Sequence, residues 1–165
     1  MVEINRLKIH KYLSDAAFHS NSLKDVQNFV IPILKAANNN GKTSIAYISG
    51  IISSDGPSQI QKNITALKCY TDYYRRTQPF PVFSSSDIFN IQIEGKFSAT
   101  QKEWVTFWNN ILMSGFITDL FLTPRWHCSQ GAKEEYRTAS IMGLKIRDDS
   151  NSPNLLRLVR KLSMS

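Results

Sequence analysis

Cysteine, histidine and long hydrophobic runs are all scarce in this chain, and each scarcity removes a class of protein. The only cysteines are Cys69 and Cys128. They are too few for a disulfide scaffold and lack the spacing of a structural zinc site. His10, His19 and His127 do not cluster at ligand spacing, so no metal and no other cofactor is expected. Apolar runs such as Phe29–Leu34 reach six residues, against the roughly 20 needed to span a bilayer. The first residues show neither an apolar signal core nor a small-residue cleavage site. The expectation is a soluble cytoplasmic protein with no membrane partner. Three catalytic signatures are missing as well: the P-loop lysine, the GxGxxG turn and the GxSxG elbow.

What is present is a core. Eighteen of the 165 residues are Phe, Trp or Tyr and 42% are hydrophobic, which excludes a disordered chain and suits a single folded domain. The formal charge is +7 and the pI about 9.5, which asks for an anionic partner. Nucleic acid is disfavoured, because the basic residues are dispersed rather than gathered in one stripe with aromatics. Arg75-Arg76 and Arg157/Arg160/Lys161 read as solvated helix ends.

Two parts can be drawn. Residues 1–42 read as an N-terminal helical extension packed on the main fold, with Ser22 as an N-cap before Leu23, Val26, Val30, Ile33, Leu34 and Ala37 at helical spacing. Pro32 predicts a kink or break there, and Asn38–Gly41 a stop. Residues 43–165 alternate strand and helix. Strands are predicted at Ser44–Ile48, Pro81–Phe83, Asp119–Leu122 and Leu144–Ile146. Helices are predicted at Ser58–Arg76, after Thr100, at Gly131–Met142 and at Asn154–Leu162. This alternation implies an α/β fold: a Rossmann-like or flavodoxin-like parallel sheet with helices on both faces. In such sheets ligands bind beyond the carboxyl ends of the strands, which singles out the loops Ser49–Pro57, Ser84–Asn90 and Thr123–Gly131.

Within those loops a few side chains stand out. Tyr47 sits in the first strand near the rim, either as a packed core aromatic or as a functional hydroxyl. Gly131 opens a helix whose free N–H groups suit an anion, with Ser129 and Arg125 close by in sequence. Helix geometry separates the two glutamates that follow. Setting Ala132 at zero, Glu135 lies at about 300°, inside the stripe of Ala139 and Met142, whereas Glu134 lies at about 200° on the solvent side. A carboxylate on an apolar stripe needs partners or a task. A core Tyr or Arg partner and a catalytic role both fit. The Trp104/Trp108 pair, at i,i+4, reads as core.

Three segments together resemble the nucleoside 2-deoxyribosyltransferase-like superfamily: Tyr47-Ile48-Ser49-Gly50, Asp119–Pro124, and Ser129-Gln130-Gly131-Ala132 running on through Glu135 to Ala139. The resemblance covers about residues 44–147 and implies a homo-oligomer acting on N-glycosidic bonds of a nucleoside or nucleotide. It implies that Glu135 is the nucleophile of a retaining double displacement and that Tyr47 orients it. It implies further that a serine at 129, where nucleoside transferases carry an aspartate, marks a nucleoside 5′-monophosphate substrate, with Ser49, Gly50, Ser129, Gly131 and Arg125 around the phosphate. The acidic residue that such proteins place near the leaving base has only Asn109 or Asn110 as a counterpart here. The alternative is a non-catalytic nucleotide-binding module on the same fold.

Overall fold

Four short strands build the sheet, and their pairing makes it wholly parallel. The computed structural model describes residues 6–88 and 97–164. Strands β1 (Ala46–Ser49), β2 (Val82–Ser84), β3 (Asp119–Leu122) and β4 (Lys145–Asp148) lie in the order β2-β1-β3-β4. Each neighbouring pair is parallel, with Tyr47 opposite Phe83 and Leu120 and Ser49 opposite Leu122. Parallel neighbours require crossover connections. These are supplied by α3 (Ile60–Thr77), α4 (Gln101–Leu112) and α5 (Gln130–Ile141), with α6 (Pro153–Ser163) closing the chain. The α/β fold expected from the alternation is therefore present. The strand order reverses between β1 and β3, and a sheet of this kind opens its ligand crevice at that switch point.

Side-chain alternation divides the core in two. Ile45, Tyr47, Phe83, Leu120 and Leu122 point to one face, packed with Phe107, Trp108 and Ile111 of α4 and Ala139 of α5. Ala46, Ile48, Val82 and Phe121 point to the other, against Leu67, Tyr70 and Tyr74 of α3 and Leu155 of α6. Period-two burial on both faces explains why β1, β2 and β3 are buried along their whole length. Strand β4 departs from that pattern. It begins one residue later than expected and all four residues are exposed. Its Lys145, Arg147 and Asp148 place charge on the sheet edge, where it opposes edge-to-edge pairing.

The N-terminal extension forms α1 (Ile9–His19) and α2 (Leu23–Asn38). Ser22 caps α2 by accepting from the Asp25 N–H at 3.1 Å. Pro32 does not break α2, which runs on to Asn38. Pro32 and Asn28, whose carbonyl loses its helical donor, both lie on the exposed side, where water replaces the missing bond. The Asn tract does stop the helix. Asn39, Asn40 and Gly41 all take positive φ, and the Asn38 side chain accepts from the Gly41 N–H at 2.6 Å. Ile9, Leu13, Ala17, Val26, Val30 and Leu34 share one continuous core with Tyr47 and Phe83.

Because α1 is part of the sheet's core, truncating it should destabilise the whole fold. Leu13 is fully buried. Leu13→Ala is expected to cost about 2–5 kcal/mol of global stability, read as one cooperative denaturant transition moved to lower concentration. A local effect confined to the first helix, with the main transition unmoved, would contradict the shared core.

Candidate active site at the sheet switch point

Tyr47 and Ser49 are two residues apart in β1, so both side chains project to the same face of the sheet. Helix α5 lies on that face and presents Glu135 to them. The Tyr47 hydroxyl donates to Glu135 Oε1 at 2.9 Å and the Ser49 hydroxyl to Oε2 at 2.5 Å. Glu135 is 8% exposed. The helix phase read from sequence thus places this carboxylate inward, while Glu134 turns out to bind Arg137 and Gln130. No cation neutralises Glu135 among the described residues. Burial pushes its carboxyl up to about 7, against the pull of the hydrogen bonds from Ser49 and Tyr47. Burial and the neighbouring Glu135 raise the Tyr47 hydroxyl well above the usual tyrosine range, with Ser85 opposing. Tyr47 is consequently a donor at any physiological pH.

These groups adjoin a cavity of about 230 Å³. Its walls come from the segment after β1 (Gly50, Ser53), the turn after β2 (Ser85), helix α4 (Gln101, Trp104, Trp108) and the start of α5 (Ser129, Gly131, Glu135). Glu135 is the only ionisable side chain among the described lining residues. Ser129 caps α5, accepting from the Ala132 N–H at 3.2 Å. The N–H groups of the first helical turn, Gln130 and Gly131, have no partner within the helix.

Two glycines line this cavity for different reasons. At Gly50 a Cβ would stand 2.5 Å from Thr123 Oγ1 and 3.1 Å from Leu67, so the protein's own packing excludes any side chain. That contact keeps Thr123 donating to the Ser49 carbonyl at 2.9 Å and locks the ends of β1 and β3 together. At Gly131 the nearest atom to a Cβ would be Ser129 Oγ at 3.7 Å, an ordinary contact. Nothing in the fold demands glycine there.

Not every expected residue joins the cluster. Arg125, in the left-handed conformation at φ 65°, turns away from the cavity and grips Asp55 at 3.0 and 3.2 Å. Asn109 accepts from Thr138 at 2.9 Å and Asn110 donates to Gln27 at 3.1 Å. Both therefore tie α4 to other helices, and neither lines the cavity. Of the Ser84–Asn90 loop, positions 89 and 90 lie outside the described residues. Two further residues meet here, one from the Ser84–Asn90 loop and one read from sequence as core. Ser85 reaches the Tyr47 hydroxyl, and Trp108 stacks against Tyr47 with ring centres 5.3 Å apart while also forming wall.

Arg75 is a correction of a different kind. It is not a solvated helix end but 7% exposed. It binds Asp87 at 2.5 Å, Asp72 at 2.8 Å and the Val82 carbonyl at 3.1 Å. Asp87 in turn accepts from the Ser84 N–H at 2.9 Å. The ion pair thereby clamps the turn that carries Ser85. Its sequence signal was Asp87 at a capping position, three residues after Ser84.

Among the described residues, no helix is long and apolar enough to cross a membrane, and no group of three or more His, Cys, Asp or Glu side chains could hold a metal ion. Compared with protein-family models, curated proteins and solved structures, the chain matches none of them.

Two outcomes follow from this geometry. Glu135 takes up a proton more readily folded than unfolded, so its contribution to stability is present below about pH 4.5 and is lost as pH rises towards 7. Relative to wild type, Glu135→Gln should therefore gain stability with pH, by about 3 kcal/mol between pH 4.5 and pH 8, measured by urea melts at both. A pH-independent difference would contradict the raised pKa. Gly131→Ala should leave stability unchanged or raise it by about 0.5–1 kcal/mol, while weakening any ligand that approaches the backbone there.

Proposed function

We propose that this cavity binds a nucleoside or nucleoside 5′-monophosphate and cleaves or transfers its N-glycosidic bond, with Glu135 as nucleophile. The observation that carries this reading is the buried carboxylate held by two hydroxyl donors, alone as the ionisable group on the described wall, at the switch point of a parallel sheet. Strongly perturbed titrating groups in a cleft mark functional sites more often than structural ones. The arrangement costs stability, which is the expected signature of a residue kept for chemistry. The residues shared with the nucleoside 2-deoxyribosyltransferase-like superfamily include both Tyr47 and Glu135, and that likeness supplies the reaction class.

In the proposed reaction an ionised Glu135 oxygen attacks the anomeric carbon. The glycosidic C–N bond breaks, and the base leaves with the bonding electrons and takes a proton from solvent. A glycosyl ester of Glu135 results. Water attacks the same carbon, loses a proton to solvent and releases the sugar; an acceptor base in place of water gives transfer. Tyr47 and Ser49 hold both carboxylate oxygens, which fixes the plane of attack and limits the search for a reactive geometry. A pKa near 7 keeps the carboxylate basic, and a more basic carboxylate is a stronger nucleophile once ionised. Ser129 and the Gln130 and Gly131 N–H groups are suited to a 5′-hydroxyl or a 5′-phosphate. Trp104 and Trp108 offer flat apolar surface to a base.

A non-catalytic nucleotide-binding module is the second reading. It is favoured by one observation: the described wall offers no second acid to protonate a leaving base, since Asn109 and Asn110 are engaged elsewhere.

Nucleosides and nucleoside 5′-monophosphates incubated with the protein, followed by chromatography of released base, separate the two. Turnover is expected, with Glu135→Ala reducing it by at least about a thousandfold and Tyr47→Phe by roughly ten- to a hundredfold. The rate should rise with pH as Glu135 ionises and level off above about 7. Ser49→Ala removes a hydrogen bond that favours the ionised form, so its limb should move to higher pH. Saturable binding without base release would support the binding module, and full activity in Glu135→Ala would remove the proposed nucleophile.

A further inference from the structure

A second cavity, of about 280 Å³, lies on the opposite face of the sheet from Glu135. It is enclosed by α3, α6 and the segments that follow β1 and β3. Lys62, Ala66 and Tyr70 come from one stripe of α3 at four-residue intervals, and Leu156, Val159 and Arg160 from one side of α6. Arg125, turned away from the first cavity, reaches this one. The site reading above assigns it no role.

Its chemistry is two-sided. Ile51, Ala66, Leu67, Leu156 and Val159 give an apolar floor, while Lys62, Arg125 and Arg160 put three cations on the wall. Arg125 is held by Asp55. Lys62 and Arg160 have no ion-pair partner among the described residues. No acidic residue lines the cavity among those described. Tyr70 lines the same cavity, and its hydroxyl has no hydrogen-bond partner among the described residues and is not sealed from solvent. Burial raises that hydroxyl to about 12, with the charge of Arg125 opposing, so it is available as a donor.

We propose that this cavity is a binding site for a phosphomonoester with a small apolar body. The phosphate lies between Lys62 and Arg160 and accepts from the Tyr70 hydroxyl, and the apolar body rests on Ala66, Leu67 and Val159. Two uncommitted cations match the two charges of a phosphomonoester dianion. Arginine suits phosphate because its planar fork donates two parallel hydrogen bonds. The volume suits a small molecule and not a nucleic-acid strand or a peptide. The site is independent of the reading of Glu135, from which the sheet separates it.

Phenyl phosphate is the probe, titrated at low salt into the full chain by calorimetry and by amide chemical shifts. Saturable binding is expected, tighter than inorganic phosphate by roughly three- to tenfold because of the ring, with shifts centred on Leu67–Tyr70 and Val159. Arg160→Glu, an exposed substitution, should weaken it by at least about tenfold, and Tyr70→Phe by several-fold. Glu135→Gln should leave it unchanged. No saturation up to about 10 mM, or binding indifferent to Arg160→Glu, overturns the proposal. Shifts centred on Ser129 and Gly131 instead would overturn it too, by assigning the anion to the first cavity.

Discussion

A carboxylate buried without a cation is the constraint on which the rest of the site depends. Glu135 can be accommodated inside the fold only because two hydroxyls meet its two oxygens, and each of those hydroxyls depends on separate geometry. Tyr47 and Ser49 must share a face of β1, which the period of the strand provides. Helix α5 must present its second turn to them, which requires the chain to leave β3 and start the helix within a few residues. The end of β1 must also lie close against the segment after β3, and this is why Gly50 admits no Cβ beside Thr123. A slip of one residue in β1 would turn both hydroxyls to the α3 face and leave the carboxylate without a donor.

The framework around these hydroxyls is stiffened at the turn after β2. The Arg75–Asp87 ion pair is buried on both sides, and the Asp87 carboxyl also holds the Ser84 N–H. A buried pair of this kind contributes little net stability but strongly fixes geometry, since either partner alone would be an unpaired buried charge. What it fixes is the turn bearing Ser85, which lies near the Tyr47 hydroxyl and opposes the rise in its pKa. The N-terminal helices serve the same end by packing. Through Ile9, Leu13 and Val30 they share the core that contains the Tyr47 ring, so Tyr47 is backed by residues far away in sequence.

Sequence alone carried the parts of this picture that depend on period and on local caps. The strand–helix alternation, the cap at Ser22 and the inward phase of Glu135 are all short-range properties, legible because 3.6-residue and two-residue periods differ clearly. What sequence did not carry is pairing between distant segments. Arg75 looks like a helix-end cation until Asp87 is brought to it by the β2 turn. Arg125 follows a β-strand end, as a phosphate ligand would, but its left-handed backbone and its bond to Asp55 aim it at the other face. Asn109 and Asn110 precede β3 in the region expected of a base-side residue, but helix–helix packing takes both. Pro32 reads as a kink or break because it removes a helical hydrogen bond, yet α2 runs through it because the affected side is wet.

The placement of charge across the sheet gives the excess of basic residues a meaning that net charge could not. The described wall of the first cavity carries no cation, and the second carries three. A lysine or arginine within about 4–6 Å of Glu135 would stabilise its ionised form and draw its pKa down. The carboxylate would then be easier to bury and less nucleophilic. Beyond about 8–10 Å, exposed charges are screened by salt. Turning Arg125 to the far face therefore keeps a cation away from Glu135, whose carboxyl burial raises to about 7. The same rotation concentrates positive potential beside Tyr70 and Arg160. The two cavities are thus the two sides of one electrostatic arrangement: a basic carboxylate can be kept on one face of this sheet because the cations have been collected on the other.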